Sequence, residues 1–332
     1  MRTAIRYRRL MAGLAAALVA ASLLAVAVGA VWVSPLTTLR LVAWKLGAIE
    51  RPDDVARSAE VIVFQLRLPR VILAGVVGAA LAASGTVFQG LFRNALADPA
   101  IIGVSSGAAL GALAVPLAAF VGATATALVV YRLARVGPAV HVATLLLAGI
   151  AIAAVISSLM SLVMSYSGEE IRDIYAWLLG GLVAEGWRSI AIVVPVVVVG
   201  VAGATLVAHE LNLVALGEER AAQLGVEVDR LKRRAIAIGA LLAAAAVSVA
   251  GVIGFVGLMT PHLLRLVIGA DHRRLLPASL LGGATLLILA DLMARTVIAP
   301  SELPVGVVTA LLGGPFFLFL LRREGRNAGA RA

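Results

Sequence analysis

The sequence predicts an all-α polytopic membrane protein of about ten transmembrane helices, and three observations support the membrane class. The chain is 61% hydrophobic and only 14% charged, with a mean hydropathy of +1.03, whereas soluble domains carry roughly a quarter charged residues. Its apolar runs last around twenty residues, enough to cross a hydrocarbon core roughly 30 Å thick as helix. The alternating ten-residue segments that build membrane barrels do not occur.

The elements follow in order. Arg2, Arg6, Arg8 and Arg9 precede an apolar run from Leu10 to Val33. A signal peptide starts similarly, but its apolar core is about 7 to 15 residues, so the longer run favours an uncleaved first span. Residues 34–66 read as a mixed-charge, partly amphipathic loop. Further spans are expected near 68–90, 100–117, 119–132, 141–164, 189–208, 234–252, 255–269, 275–297 and 304–321. Ten spans put both termini on one side. Lys and Arg test the count: 19 of the 28 fall on the terminal side and nine on the other, which orients the chain with both termini cytoplasmic. The net charge of +10 is explained by these short basic loops, and no nucleic-acid partner is expected.

Gly103, Gly107 and Gly111 at four-residue spacing, and Gly251, Gly254 and Gly257 at three, suit close helix packing in lipid. Pro116, Pro195, Pro261, Pro304 and Pro315 in or beside spans predict kinks or breaks.

Several function classes are disfavoured. Ion-coupled carriers place ionisable groups at mid-membrane, yet runs 71–92, 99–131, 142–168, 189–208, 235–261 and 275–290 contain no Asp, Glu, Lys, Arg or His. An ion-coupled secondary transporter therefore stands only as the alternative of another class. His141, His209, His262 and His272 fall at span ends without the paired spacing of a zinc site, so no metal site is expected, and cysteine is absent. Asp291 and Arg295, one turn apart, read as a local pair. No G-x-x-x-x-G-K-[ST] loop exists, so the chain itself should bind no ATP and hold no cofactor.

The longest polar stretch of the second half, His209 to Arg234, holds five acids and five bases. It reads as a water-facing docking segment; the alternative is a solvated loop.

From Arg67 the sequence runs RLPRVILAGVVGAALAASGTVFQGLFRNALADPAIIGVSSGAALG, later LGEERAAQLGV, and from Gly251 GVIGFVGLMTPHLLRLVIGADHRRLLPASLLGGATLLILADLMARTVIAPSELPVGVVTALLGGPFFLFLL. These motifs resemble the membrane subunit of the FecCD/BtuC-like ABC importers for iron-siderophore complexes, haem and vitamin B12, over about residues 10–322. The resemblance implies a type II ABC importer permease: one transmembrane permease domain over 1–332, with a cytoplasmic coupling segment at about 210–231. It further implies a homodimer in the bacterial inner membrane, two ATP-binding ABC subunits that carry ATP and Mg, and a periplasmic substrate-binding protein. The chain would be no enzyme but a transport subunit moving an iron complex, haem or ferric siderophore, inward, with cobalamin the alternative.

Residue by residue, Leu216, Gly217, Glu218, Glu219, Arg220, Ala221, Ala222, Leu224 and Gly225 match the family's coupling helix, which fits a cleft in the ATPase. Glu218, Glu219 and Arg220 offer polar contacts, Ala221, Ala222 and Leu224 a compact face, and Gly225 an end. Arg67, Arg70 and Arg295 match arginines that meet glutamates of the binding protein, where the guanidinium fork suits a carboxylate; interfacial snorkelling is the other reading. Asn94 and Leu96 match the cytoplasmic gate, within FRNALADP where the family has Asn-Pro-Leu; Ala95 replaces that proline. Helix capping is the other reading of Asn94. The loop at His141 to Ala143 is a weaker match to the same gate.

Overall fold

The computed structural model describes residues 2–29, 31–45, 47–52, 54–112, 116–136, 139–140, 142–166, 171–182 and 186–329. Helix α1 (Arg2–Ala27) starts in the basic tail, and α2 (Pro35–Lys45) and the short α3 (Arg57–Val61) occupy the stretch read as a loop. A π-helical turn, Ile62–Arg67, joins α3 to α4 (Leu68–Leu91), so that Arg57–Leu91 is one rod of 35 residues. Pro69 explains the wide turn: it has no N–H, and its ring would crowd the carbonyl four residues back in a regular helix.

A 3-10 turn at Pro99–Ile102 leads into α5 (Val104–Ala112), followed by α6 (Pro116–Ala134), a two-residue β pair (Arg135–Val136 with Ala139–Val140) and α7 (Val142–Tyr166). Then come α8 (Ile171–Leu178), α9 (Trp187–Val214), α10 (Glu218–Gln223), α11 (Val228–Ala250), α12 (Val256–Ile268), α13 (His272–Thr296) and α14 (Val305–Gly329). Each of the ten expected spans has its helix, so the all-α membrane fold stands.

The spans are unequal. Among the described residues, seven helices are long and apolar enough to cross a membrane, while α12 and the apolar part of α14, Val305–Leu320, are shorter. The expected span 100–117 is broken: α5 has only nine residues, about 14 Å at 1.5 Å per residue. Gly103, left-handed at φ 76°, separates it from the 3-10 turn. The segments entering α5 and α12 meet inside the bundle, where Gly257 packs on Pro99 and on the Leu81 carbonyl. Phe255 opens α12 at φ 68°, a conformation tolerated where neighbours fix it.

Helix α4 is the hub, packed by α13, α11, α9 and α12. Gly78 and Gly283 face each other so closely that a methyl on either would overlap the other's carbonyl, which brings α4 and α13 backbone to backbone. Two polar side chains of the hub tie it to its neighbours: Ser84 donates to the Gly239 carbonyl at 2.7 Å and the Gln89 Nε2 to that of Leu258 at 3.1 Å.

The bundle has two unlike ends. Tyr7, beneath the Arg274 guanidinium, places the start of α1 beside the start of α13. Arg295, bonded to the Ala25 carbonyl, places their far ends together. The first end carries α10; the second carries Arg67, Arg70 and Arg295.

Candidate functional site

At the first end, α9 closes through Leu216 and Gly217, whose amides bond the Leu213 and Val214 carbonyls. Gly217 then turns at φ 114° and α10 begins, with Glu218 and Glu219 in its first turn, where the helix dipole favours acids. The helix ends in a Schellman motif: Val226 N–H bonds the Ala221 carbonyl and Gly225 N–H that of Ala222, each at 3.0 Å, with Gly225 left-handed at φ 88°. Ala221 and Val226 are buried together beneath this turn. The expectation that Gly225 ends the helix therefore holds in detail.

The other members face outward. Leu216 and Leu224 are 57% and 60% exposed, and Glu219, Arg220, Ala222 and Gln223 lie on the same open surface. Ala221, grouped with Ala222 and Leu224 from the sequence, turns the opposite way and anchors α10 to the bundle.

Lys232 supplies a second anchor. It stands in the basic run from Arg230 to Arg234, yet its ammonium folds inward to Glu218 at 2.7 Å. Arg230 pairs with Glu227 and Arg234 approaches Glu210 at 3.9 Å. Asn212, which the sequence reading passed over, ties the same end: it donates to Asp271 at 2.7 Å and accepts from the His272 amide at 2.8 Å, while Asp271 caps α13 through the Arg273 amide. A pendant amide on a helix's last polar turn was the only signal available.

Beside α10 lies a cavity of about 410 Å³ lined by Phe92, Arg93, Val142, Ala143, Glu218 and Lys232, among others. It joins α10 to the turn after α4. That turn is a second Schellman closure, with Asn94 N–H on the Gln89 carbonyl at 3.2 Å and Arg93 left-handed at φ 49°. Asn94 caps no helix: its Oδ1 accepts from the Leu96 amide at 2.9 Å, an Asx turn that fixes the bend where Ala95 replaces proline. Asn94 is exposed and Leu96 half-buried. Asp98 then caps the 3-10 turn through the Ala100 amide at 2.8 Å. Ala143 lines the cavity, whereas His141 lies outside the described residues.

At the second end the three arginines converge, with different surroundings. Arg67 is buried and donates to the carbonyls of Val26 at 3.0 Å, Ala27 at 2.6 Å and Val31. Arg295 is buried too, bonding Asp291 at 3.0 Å and the carbonyls of Ala25 at 3.0 Å and Val28 at 3.4 Å. Both complete the C-terminus of α1, whose last carbonyls lack helical partners and whose dipole favours cations. Gly29 leaves the space that the Arg67 guanidinium fills. Neither fork is turned outward. Arg70 spans Asp291 at 2.9 Å and the half-exposed Glu302 at 2.8 Å, which makes it the one of the three at the surface edge. The Asp291–Arg295 pair read from the one-turn spacing is present, and Arg70 and Glu302 extend it.

The profile of the FecCD transport family matches residues 17–323. The chain belongs to that family. It is 49% identical over 284 residues to the cobalamin import system permease protein BtuC of Halobacterium salinarum, spanning 82% of this chain and 76% of the relative. It is 46% identical to the hemin transport system permease protein HmuU of Yersinia pestis, over 79% and 84% of the two chains. To the Fe(3+)-citrate import system permease protein YfmE of Bacillus subtilis it is 36% identical over 95% of each. A solved structure described as an inward-facing metal-chelate type ABC transporter superposes with a TM-score of 0.81 at 31% identity, covering 95% of this chain and 99% of that one. This FecCD-family chain is a membrane-embedded permease subunit of the ABC importer class.

Proposed function

We propose that this permease carries an iron complex, haem or a ferric siderophore, from the periplasm to the cytoplasm of a bacterial inner membrane, driven by ATP hydrolysis in two separate ABC subunits. The observation that carries the reading is α10: a short, doubly anchored helix, exposed on one face, sharing a cavity with the turn after α4. A push on Leu216, Glu219, Arg220, Ala222 or Leu224 would pass through Glu218–Lys232 and the buried Ala221 into α11 and that turn. Asn94 and Leu96 sit where such a movement could open or close an apolar gate between two copies of the chain. Both termini and α10 are assigned to the cytoplasm by the basic loops, and the whole chain acts as one permease domain.

At the opposite end, Arg70 and Glu302 offer a binding protein one cation and one anion, with Arg67 and Arg295 holding the platform behind them. The relatives named for hemin and Fe(3+)-citrate support iron complexes, and the relative named for cobalamin keeps that alternative.

Two experiments test this. Co-purification from native membranes should recover an ABC ATPase and a binding protein whose ligand is an iron complex; an associated binding protein loaded with cobalamin would replace that substrate assignment. In proteoliposomes with those partners, Ala222→Arg should leave ATP hydrolysis running while uptake falls at least about tenfold, a loss of roughly 1.4 kcal/mol in coupling. Unchanged uptake rejects the coupling role, and uptake driven by a proton gradient without the ATPase favours the ion-coupled alternative.

A further inference from the structure

Between α1, α4, α9 and α13 runs an apolar slot of about 550 Å³, with Leu18, Ile72, Gly75, Ala79, Val198 and Leu281 among its walls. It reaches from mid-bundle to the arginine end, where Thr38 of α2 closes it. Thr38 is 2% exposed and lines the slot, and its hydroxyl has no hydrogen-bond partner among the described residues. Ser22, the other hydroxyl on the wall, is satisfied by the Leu18 carbonyl at 2.8 Å.

A second cavity, about 410 Å³, shares the walls Val42 and Leu68 with the slot, and the rest of its lining is of another kind, including Lys45, Glu60, Gln65 and Trp187. Lys45 lies over the Trp44 and Phe64 rings at 5.2 and 5.6 Å, and Glu60 pairs with Arg51 at 3.5 Å. Trp187 is half-turned outward with its indole N–H on the Phe64 carbonyl, and Trp32 is 67% exposed nearby in sequence to α2, as suits side chains at the membrane–water boundary. An apolar slot ending on an unmatched hydroxyl, beside a second cavity lined by Lys45 and Glu60, has the polarity sequence of a phospholipid.

We propose that this site binds an ethanolamine phospholipid of the outer leaflet, one acyl chain in the slot and the headgroup against Lys45 and Glu60. The glycerol ester carbonyl accepts from Thr38, the phosphate takes Lys45, and the primary ammonium donates to Glu60. A choline headgroup has no N–H to give that carboxylate, and a glycerol headgroup has no cation.

Native mass spectrometry of the full-length chain, delipidated in detergent and titrated with phosphatidylethanolamine, phosphatidylglycerol and phosphatidylcholine of matched acyl chains, tests the site. One ethanolamine lipid per chain should be retained, about tenfold over either other lipid. Gly75→Leu should abolish retention: its new Cβ meets Ile288 at an ordinary 3.5 Å, so the side chain fills the slot without forcing the helices apart. Thr38→Val keeps the shape and should weaken retention without lowering the melting temperature, and so carries the test if Gly75→Leu folds poorly. Glu60→Gln should erase the preference over phosphatidylglycerol. Equal retention of the three lipids by the unaltered chain, or undiminished retention in both Gly75→Leu and Thr38→Val, overturns the proposal.

Discussion

The two ends of the bundle use the same residue types in opposite ways. At the α10 end, acids and bases lie on a surface whose backbone is already satisfied by two Schellman turns, so the side chains other than Lys232 remain largely outward. At the arginine end, α1 stops at Ala27 with its carbonyls inside the bundle, and Arg67 and Arg295 are drawn in to satisfy them. A buried carbonyl without a donor is costly, and a long flexible cation is the nearest remedy. Basic residues at a helix end are therefore docking groups only where the backbone does not need them first.

This contrast can be broken most severely at Asp291, which is 1% exposed between Arg70 and Arg295. Asp291→Ala should destabilise the chain by about 3 to 5 kcal/mol, because two cations lose their buried counter-charge; a thermal melt in detergent reads it, and a change near zero would mean the cluster is hydrated. Next comes Arg67→Ala, expected to cost about 2 to 3 kcal/mol through three unmet carbonyls. Arg67→Lys should rescue little of that, since one ammonium cannot reproduce the fork.

At the other end the order of effects reverses between stability and transport. Proline at 225 cannot adopt φ 88° and has no N–H for the Ala222 carbonyl, so in Gly225→Pro α10 should lose its terminus and uptake should fall at least about tenfold, while the melt falls by about 1 to 3 kcal/mol, less than at Asp291. A large shift in the melt with normal uptake would contradict the division of labour.

The smallest effect is expected at Arg40–Asp54, an exposed pair at 2.7 Å. The hydrogen bond from Arg40 holds the Asp54 carboxyl below its usual value. Its folded pKa is thus lower than its unfolded one, so any stabilisation is present above the ordinary carboxylate range and fades as pH falls through the folded value. Asp54→Asn should leave the melt at pH 7 nearly unchanged, and the difference from the unaltered chain should vanish in acid.

Much of this molecule is determined by its sequence alone. Twenty-residue apolar runs have one solution in lipid, so the order of the spanning helices, and the polar stretch from His209 to Arg234 between two of them, follow from composition and spacing. The ending of α10 at Gly225 also follows, because the left-handed turn needs a residue without Cβ. Direction and depth do not. Nothing in the sequence around Lys232 distinguishes it from Arg233, yet Lys232 turns in to Glu218 while Arg233 stays out. Residues 100–117 read as one span, although Gly103 and the meeting of Gly257 with Pro99 leave only nine residues of helix in α5. Arg67 and Arg295, some 230 positions apart, cap α1 only because α4 and α13 are pressed together at Gly78 and Gly283. Such choices depend on which unsatisfied group is nearest in space, and only the packed bundle sets that distance.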